Sequence, residues 1–113
     1  MKYDLEERTV QFAIAIRKFL KTLPKSVSNL EDGKQVVRSS GSIGANYIEA
    51  NEKVGPKDFV YRLKIARKEA KETIYWLRII KETNNHNSNV DTLIQEATEL
   101  LKILSAIITK TQK

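Results

Sequence analysis

The sequence predicts an all-α protein built as an antiparallel up-down-up-down four-helix bundle. Three observations predict it. Four stretches carry apolar residues at alternating spacings of three and four, which puts them on one face of a helix. The 113 residues contain only four glycines and two prolines, and few runs rich in β-branched residues alternate at strand period. The breaks between the four stretches are short, so successive helices must return alongside one another in a single domain covering residues 1–113.

The first helix is predicted over about 4–22. Leu5, Thr9, Phe12, Ile16, Phe19 and Leu23 share a face, with Thr9 its least apolar member. Asp4, Glu6 and Glu7 lie near the start and Arg17, Lys18 and Lys21 near the end, an order that complements the helix dipole. Pro24 stops the helix because it disfavours helical geometry at Leu23 and has no amide hydrogen to donate. Residues 24–30 read as a loop.

The second helix is predicted over about 31–53, with Val36, Ser40, Ile43, Tyr47, Ala50 and Val54 on one face. Its middle, Ser39-Ser40-Gly41-Ser42-Ile43-Gly44-Ala45, is almost entirely small. Two interior glycines cost about 1 kcal/mol each relative to alanine, so a strand-and-turn reading competes there. Helix is preferred because the apolar spacing continues on both sides, and a glycine seam lets a second helix approach closely.

Gly55-Pro56 breaks the chain again. The third helix is predicted over about 57–83, about 40 Å long at 1.5 Å per residue. Phe59, Leu63, Ala66, Ala70, Thr73, Leu77 and Ile80 make its core face. The polar run Asn84 to Asn89 forms a turn, and the fourth helix follows over about 90–109. Val90, Leu93, Ala97, Leu100, Leu104, Ile107 and Thr111 keep the spacing, while Ile94, Leu101 and Ile108 widen the face.

Composition excludes several functions. Hydrophobic residues make up 41% and charged residues 30%, too apolar for a disordered chain and too charged for a membrane protein. No apolar run approaches the roughly 18 residues that span a bilayer. The start, MKYDLEERTV, has acids where a signal peptide needs a basic and then an apolar stretch, so a soluble, cytoplasmic protein is expected. With no cysteine and one histidine, His86, neither a thiolate nor a histidine metal centre can be assembled. Glu49 and Glu52, and Glu69 and Glu72, are spaced three apart, but neither pair has the histidine that di-iron bundles use. No nucleophile–base pair, phosphate loop or dinucleotide motif is visible, so no catalytic residue and no cofactor is expected.

The net charge of +6 is uneven, with +4 of it between residues 54 and 83. There Tyr61, Lys64, Lys68, Lys71, Tyr75 and Arg78 recur at helical spacing, with Arg62 and Arg67 beside them. Cations in a row match phosphates, and tyrosine rings can stack on bases, which makes this stripe the candidate surface for RNA or DNA. The competing reading is an ordinary solvated face, with Glu69 and Glu72 neutralising part of the charge. Trp76 lies one position from the apolar stripe and is expected at the core edge or at a subunit interface.

The stretch from Val37 to Ala50, VRSSGSIGANYIEA, resembles the motif of the bacterial four helix bundle family, also called 23S rRNA-intervening sequence proteins. Leu23-Pro24, Asp58-Phe59, the run Ala66 to Glu72 and Trp76-Leu77 extend the resemblance over nearly the whole chain. Two departures are Ala50, where many members have glycine, and ARKEAKE in the third helix, where others have small residues and serine. The resemblance implies an antiparallel four-helix bundle without enzymatic activity, similar to the accessory protein of diversity-generating retroelements. It implies assembly as a homopentamer and, among partners, nucleic acid or a protein such as a reverse transcriptase. Arg38, Ser42, Asn46 and Glu49 carry over as architectural residues. They form a polar stripe that can hydrogen-bond a neighbouring helix or subunit, with a ligand site as the lesser reading.

Overall fold

The fold was obtained as a computed structural model, which describes residues 2–52, 55–85 and 88–112. Four helices follow in order: α1 (Lys2–Leu20), α2 (Val27–Ala50), α3 (Pro56–Thr83) and α4 (Ser88–Thr111). Each packs against its neighbour in sequence, and α1 also meets α4, so the bundle closes up-down-up-down in an elongated body of 44 × 20 × 19 Å. Among the described residues no helix is long and apolar enough to cross a membrane.

The helices begin and end where backbone chemistry requires. α1 closes with the Thr22 amide on the Phe19 carbonyl at 2.9 Å, two residues before Pro24. α2 begins four residues earlier than the apolar spacing predicts. Ser26 caps it, its side chain accepting the Asn29 amide at 3.0 Å. The first turn of α2 escaped the periodicity because Val27 and Leu30 remain exposed and join no core face. Asn29 instead ties that turn to the end of α3, exchanging two side-chain amide hydrogen bonds of 2.8 Å with Asn84. At its other end α2 stops at Ala50, capped by Asn51, rather than at Lys53; Lys53 and Val54 lie outside the described residues, as does His86.

Gly55 precedes α3 with φ +154° and ψ 163°, a combination open essentially to glycine, and Pro56 occupies the first helical position, where its missing amide hydrogen costs nothing. Asn85 takes φ 54° just past the end of α3, a left-handed stop that asparagine tolerates.

The core is the face the spacing predicts. Leu5, Phe12, Ile16 and Phe19 of α1 pack with Val36, Ile43 and Tyr47 of α2, Leu63, Leu77 and Ile80 of α3, and Leu93, Leu100 and Leu104 of α4. Leu23 and Phe59 are half-buried rather than buried. In the last turns of α4 Ile108 is buried in place of Ile107. A strict seven-residue repeat drifts about 20° per heptad on a straight helix, so Ile107, two heptads after Leu93, lags by about 40° and Ile108 lies nearer the inward direction.

The small-residue segment is helical throughout. A Cβ added at Gly44 would lie 2.5 Å from Thr9 Oγ1 and 2.9 Å from Thr9 Cβ, so α1 sits directly on this point of α2. The glycine seam is therefore a seat for α1, with buried Thr9 as its contact. Ser39, fully buried on the other side, shares a 2.8 Å hydrogen bond with Thr73 of α3, whose own hydroxyl donates to the Glu69 carbonyl at 2.9 Å. The bonds run in a chain from Ser39 through Thr73 to the Glu69 carbonyl, so both buried hydroxyls are partnered inside the core.

Candidate nucleic-acid interface

On a helix of 3.6 residues per turn, the face of α3 opposite Leu63, Ala70 and Leu77 must look to solvent. That face carries the basic stripe. Tyr61, Lys64, Lys68, Lys71, Tyr75 and Arg78 are all exposed, and Arg67 flanks them half-buried on the side nearer α4. The tyrosines keep 59% and 58% of their surface.

Whether such a face is a solvated surface or an anion-binding one depends on where the acids go. Glu69 and Glu72 do not turn toward the stripe. Both face α2 and meet Arg38, with Nη2 2.9 Å from Glu72 Oε1 and Nη1 3.6 Å from Glu69 Oε1. Among the described residues Lys64, Arg67, Lys68, Lys71 and Arg78 have no carboxylate within ion-pair distance. These five cations are thus left without a direct ion-pair partner, and the one acid that shares their face is exposed Glu82, one turn beyond Arg78. Two further cations of the helix are engaged elsewhere. Arg62 reaches Glu49 of α2 at 3.7 Å, and Lys81 meets Asp91 of α4 at 2.7 Å, a contact that raises the lysine's affinity for its proton.

The four motif residues divide by role. Arg38 hydrogen-bonds Glu72 of α3 at 2.9 Å, and Glu49 stands 3.7 Å from Arg62 of the same helix, an ion pair longer than a hydrogen bond. Ser42 and Asn46 do not bind across to α3: the Ser42 hydroxyl donates to the Arg38 carbonyl at 2.8 Å, and the Asn46 amide to the Ser42 carbonyl at 2.9 Å, both within α2. Polar side chains that return to the backbone one turn earlier are the usual outcome where a helix face has no partner close enough to bond. Trp76 is half-buried against the core, its ring perpendicular to that of Tyr75 with centroids 5.0 Å apart.

Two surface features were not foreseen. At the end of the bundle where α1 begins, a cleft of about 930 Å³ opens between Leu5, Arg8, Phe59, Ile103 and Ile107, with Tyr47 and Asn51 also lining it. Its size falls in the range of small-molecule sites. Ile107, half-buried at the edge of the core face, forms one wall of it with Leu5 and Phe59. Burial pushes the Tyr47 hydroxyl pKa above its ordinary value, opposed by a hydrogen bond to Asn51, whose amide also donates to Glu6 at 2.9 Å. A smaller groove of about 350 Å³ runs between α1 and α2 past Val10, Ala13, Ile14, Gly41, Gly44 and Ile48. The signal for it was present in the sequence, since Val10, Ile14 and Ile48 are apolar residues that the core stripes leave over.

Arg8 ties α1 to α4 beside the cleft. Its guanidinium makes two bonds to Glu96, at 2.7 and 2.9 Å, and one to Glu99 at 2.8 Å. The Arg8 bond holds the Glu99 carboxyl pKa below its usual 4.5, and Gln95 assists. Because the folded value is the lower one, this stabilisation is present above pH 4.5 and disappears as pH falls through the folded value. The acid-induced fall in melting temperature should therefore be shallower in Glu99→Gln than in the parent chain below that pH. Parallel curves would show that the contact contributes nothing to folding.

The chain resembles known proteins in two comparisons. Residues 1–106 match the family described as 23S rRNA-intervening sequence protein. Among solved structures it is similar to a protein of unknown function from the S23 ribosomal protein family of Bacteroides thetaiotaomicron. That protein shares 34% identity at a TM-score of 0.80, with 91% of this chain and 96% of that chain covered. A comparison with curated proteins found no match.

Proposed function

The chain belongs to the 23S rRNA-intervening sequence protein family, and on that premise we propose that it is a non-enzymatic, self-assembling bundle that binds RNA or DNA through the exposed face of α3. The observation that carries this reading is the row Lys64, Lys68, Lys71 and Arg78, cations on one helix face with no carboxylate within ion-pair distance, while Glu69 and Glu72 meet Arg38. A row of this kind meets phosphates without reading base edges, so low sequence specificity is part of the proposal. The family's description refers to an intervening sequence of 23S rRNA, a setting in which such a face has an obvious use. Assembly as a homopentamer in the cytoplasm completes the reading, because five copies of a +6 chain present about +30 to a polyanion.

Reversing the four charges tests it (Lys64→Glu, Lys68→Glu, Lys71→Glu and Arg78→Glu together). Four phosphate contacts weaken binding by about 50- to 150-fold between 50 and 200 mM salt in the parent chain. The variant should lose both the affinity and that salt dependence; unchanged binding would remove the assignment. Light scattering tests the assembly, and a 13.0 kDa particle would count against a ring.

A second reading is favoured by the groove between α1 and α2. Val10 and Ile48 remain about two-fifths exposed there, apolar surface of the kind that a partner protein covers. A scaffold of that type, contacting for example a polymerase, would associate with its partner independently of salt.

A further inference from the structure

The exposed face of α3 offers more than charge. We propose that it takes single-stranded rather than double-stranded nucleic acid, with Tyr61 and Tyr75 stacking on unpaired bases while the lysines between them hold the backbone. This rests on the reading of α3 as a nucleic-acid surface and specifies its ligand.

Three observations carry it. The two rings stand on the same exposed face as Lys64, Lys68 and Lys71, one at each end of the row, and are 59% and 58% exposed. They stand fourteen positions apart, about 21 Å along the helix, a distance that a few nucleotides of extended strand can cover. Neither ring is simply loose in solvent. The Arg62 guanidinium lies over Tyr61 at 5.9 Å from the ring centroid, and Tyr75 is set edge to face against Trp76, which is itself anchored at the core.

The two supports differ in chemistry and have the same consequence. A ring already oriented by a neighbour loses less conformational freedom when a base lands on it. Arg62 is in turn held to Glu49 of α2, so the support of Tyr61 is fixed from a second helix. Trp76 gives Tyr75 the equivalent anchorage. The order along the helix is thus ring, three lysines, ring.

A duplex cannot use this arrangement. Its bases are stacked and paired, so only its phosphates would meet α3, and the two rings would contribute nothing. A single strand can place a base on each ring and its phosphates on the lysines. Stacking tolerates any sequence because every base has a π face. The face is therefore selective for strandedness and indifferent to sequence.

The test compares a short single-stranded RNA with the same strand annealed to its complement, using the intact chain. The parent should bind the single strand more tightly. Tyr61→Ala and Tyr75→Ala should each weaken single-strand binding about 5- to 150-fold, leave duplex binding unchanged and leave the salt dependence intact. Tyr61→Phe and Tyr75→Phe should restore the affinity, since the rings remain. Both positions are exposed, so circular dichroism should show the fold undisturbed. Equal affinity for the two forms overturns the inference. So does full single-strand affinity in the alanine variants alongside its loss in the charge-reversed one, a result that leaves the basic face standing. Absence of binding to either RNA by the parent overturns both.

Discussion

Leu77→Ala is expected to lower the stability of the chain by about 3 kcal/mol, within the range measured for buried leucines cut back to alanine. Leu77 is fully buried on the inward face of α3, the helix that packs against both α2 and α4. Its removal takes away transfer free energy and leaves a cavity that three helices would have to close together. Calorimetry should show a fall of roughly 12 °C in melting temperature for a domain of this size. The exposed face of α3 is untouched by the change, so RNA affinity measured well below the new midpoint should be retained. A loss of less than about 1 kcal/mol would mean that the bundle relaxes around the gap, a looser core than the burial of Leu77 implies.

Gly44→Val should cost a similar amount, about 3 kcal/mol, for the opposite reason. Even a lone Cβ at this point would approach Thr9 Oγ1 to 2.5 Å, and valine adds two methyl groups beyond it. Thr9 cannot swing away freely, since its hydroxyl is tied to the Glu6 carbonyl at 2.7 Å. α1 must therefore lift from α2, against which it has its main packing. Hydrogen exchange should show α1 amides losing protection ahead of those in α3. Gly33→Ala provides the contrast. There a Cβ meets only Leu20 methyl groups at 3.8 Å, ordinary contact, so the gain in helix propensity should appear as about 0.5–1 kcal/mol of added stability. If both glycine substitutions were neutral, α1 would not be seated as described.

Taken together these positions explain the motif from Val37 to Ala50. Its glycine seats α1, its buried serine bonds α3 through Thr73, and its Arg38 draws Glu69 and Glu72 off the exposed face of α3. The last effect links architecture to function. Arg38→Gln should release Glu72, now only half-buried, toward the lysines beside it.

Helix identity, helix order and nearly every core residue were legible in the amino-acid pattern, because burial in a bundle imposes a period that few other structures share. The exposed stripe of α3 was legible for the same reason, as the complement of the buried face. Boundaries set by single hydrogen bonds were not. The first turn of α2 depends on Ser26 and on the pairing of Asn29 with Asn84, residues 55 positions apart in the chain. The cleft by Leu5 and Phe59 is lined from all four helices, a juxtaposition to which no single residue points. Above all, the sequence placed Glu69 and Glu72 close enough to cancel the lysines and left open whether they do. Only the tertiary structure decided it, because packing α2 on α3 sets Arg38 2.9 Å from Glu72 and 3.6 Å from Glu69, on the flank away from the lysines.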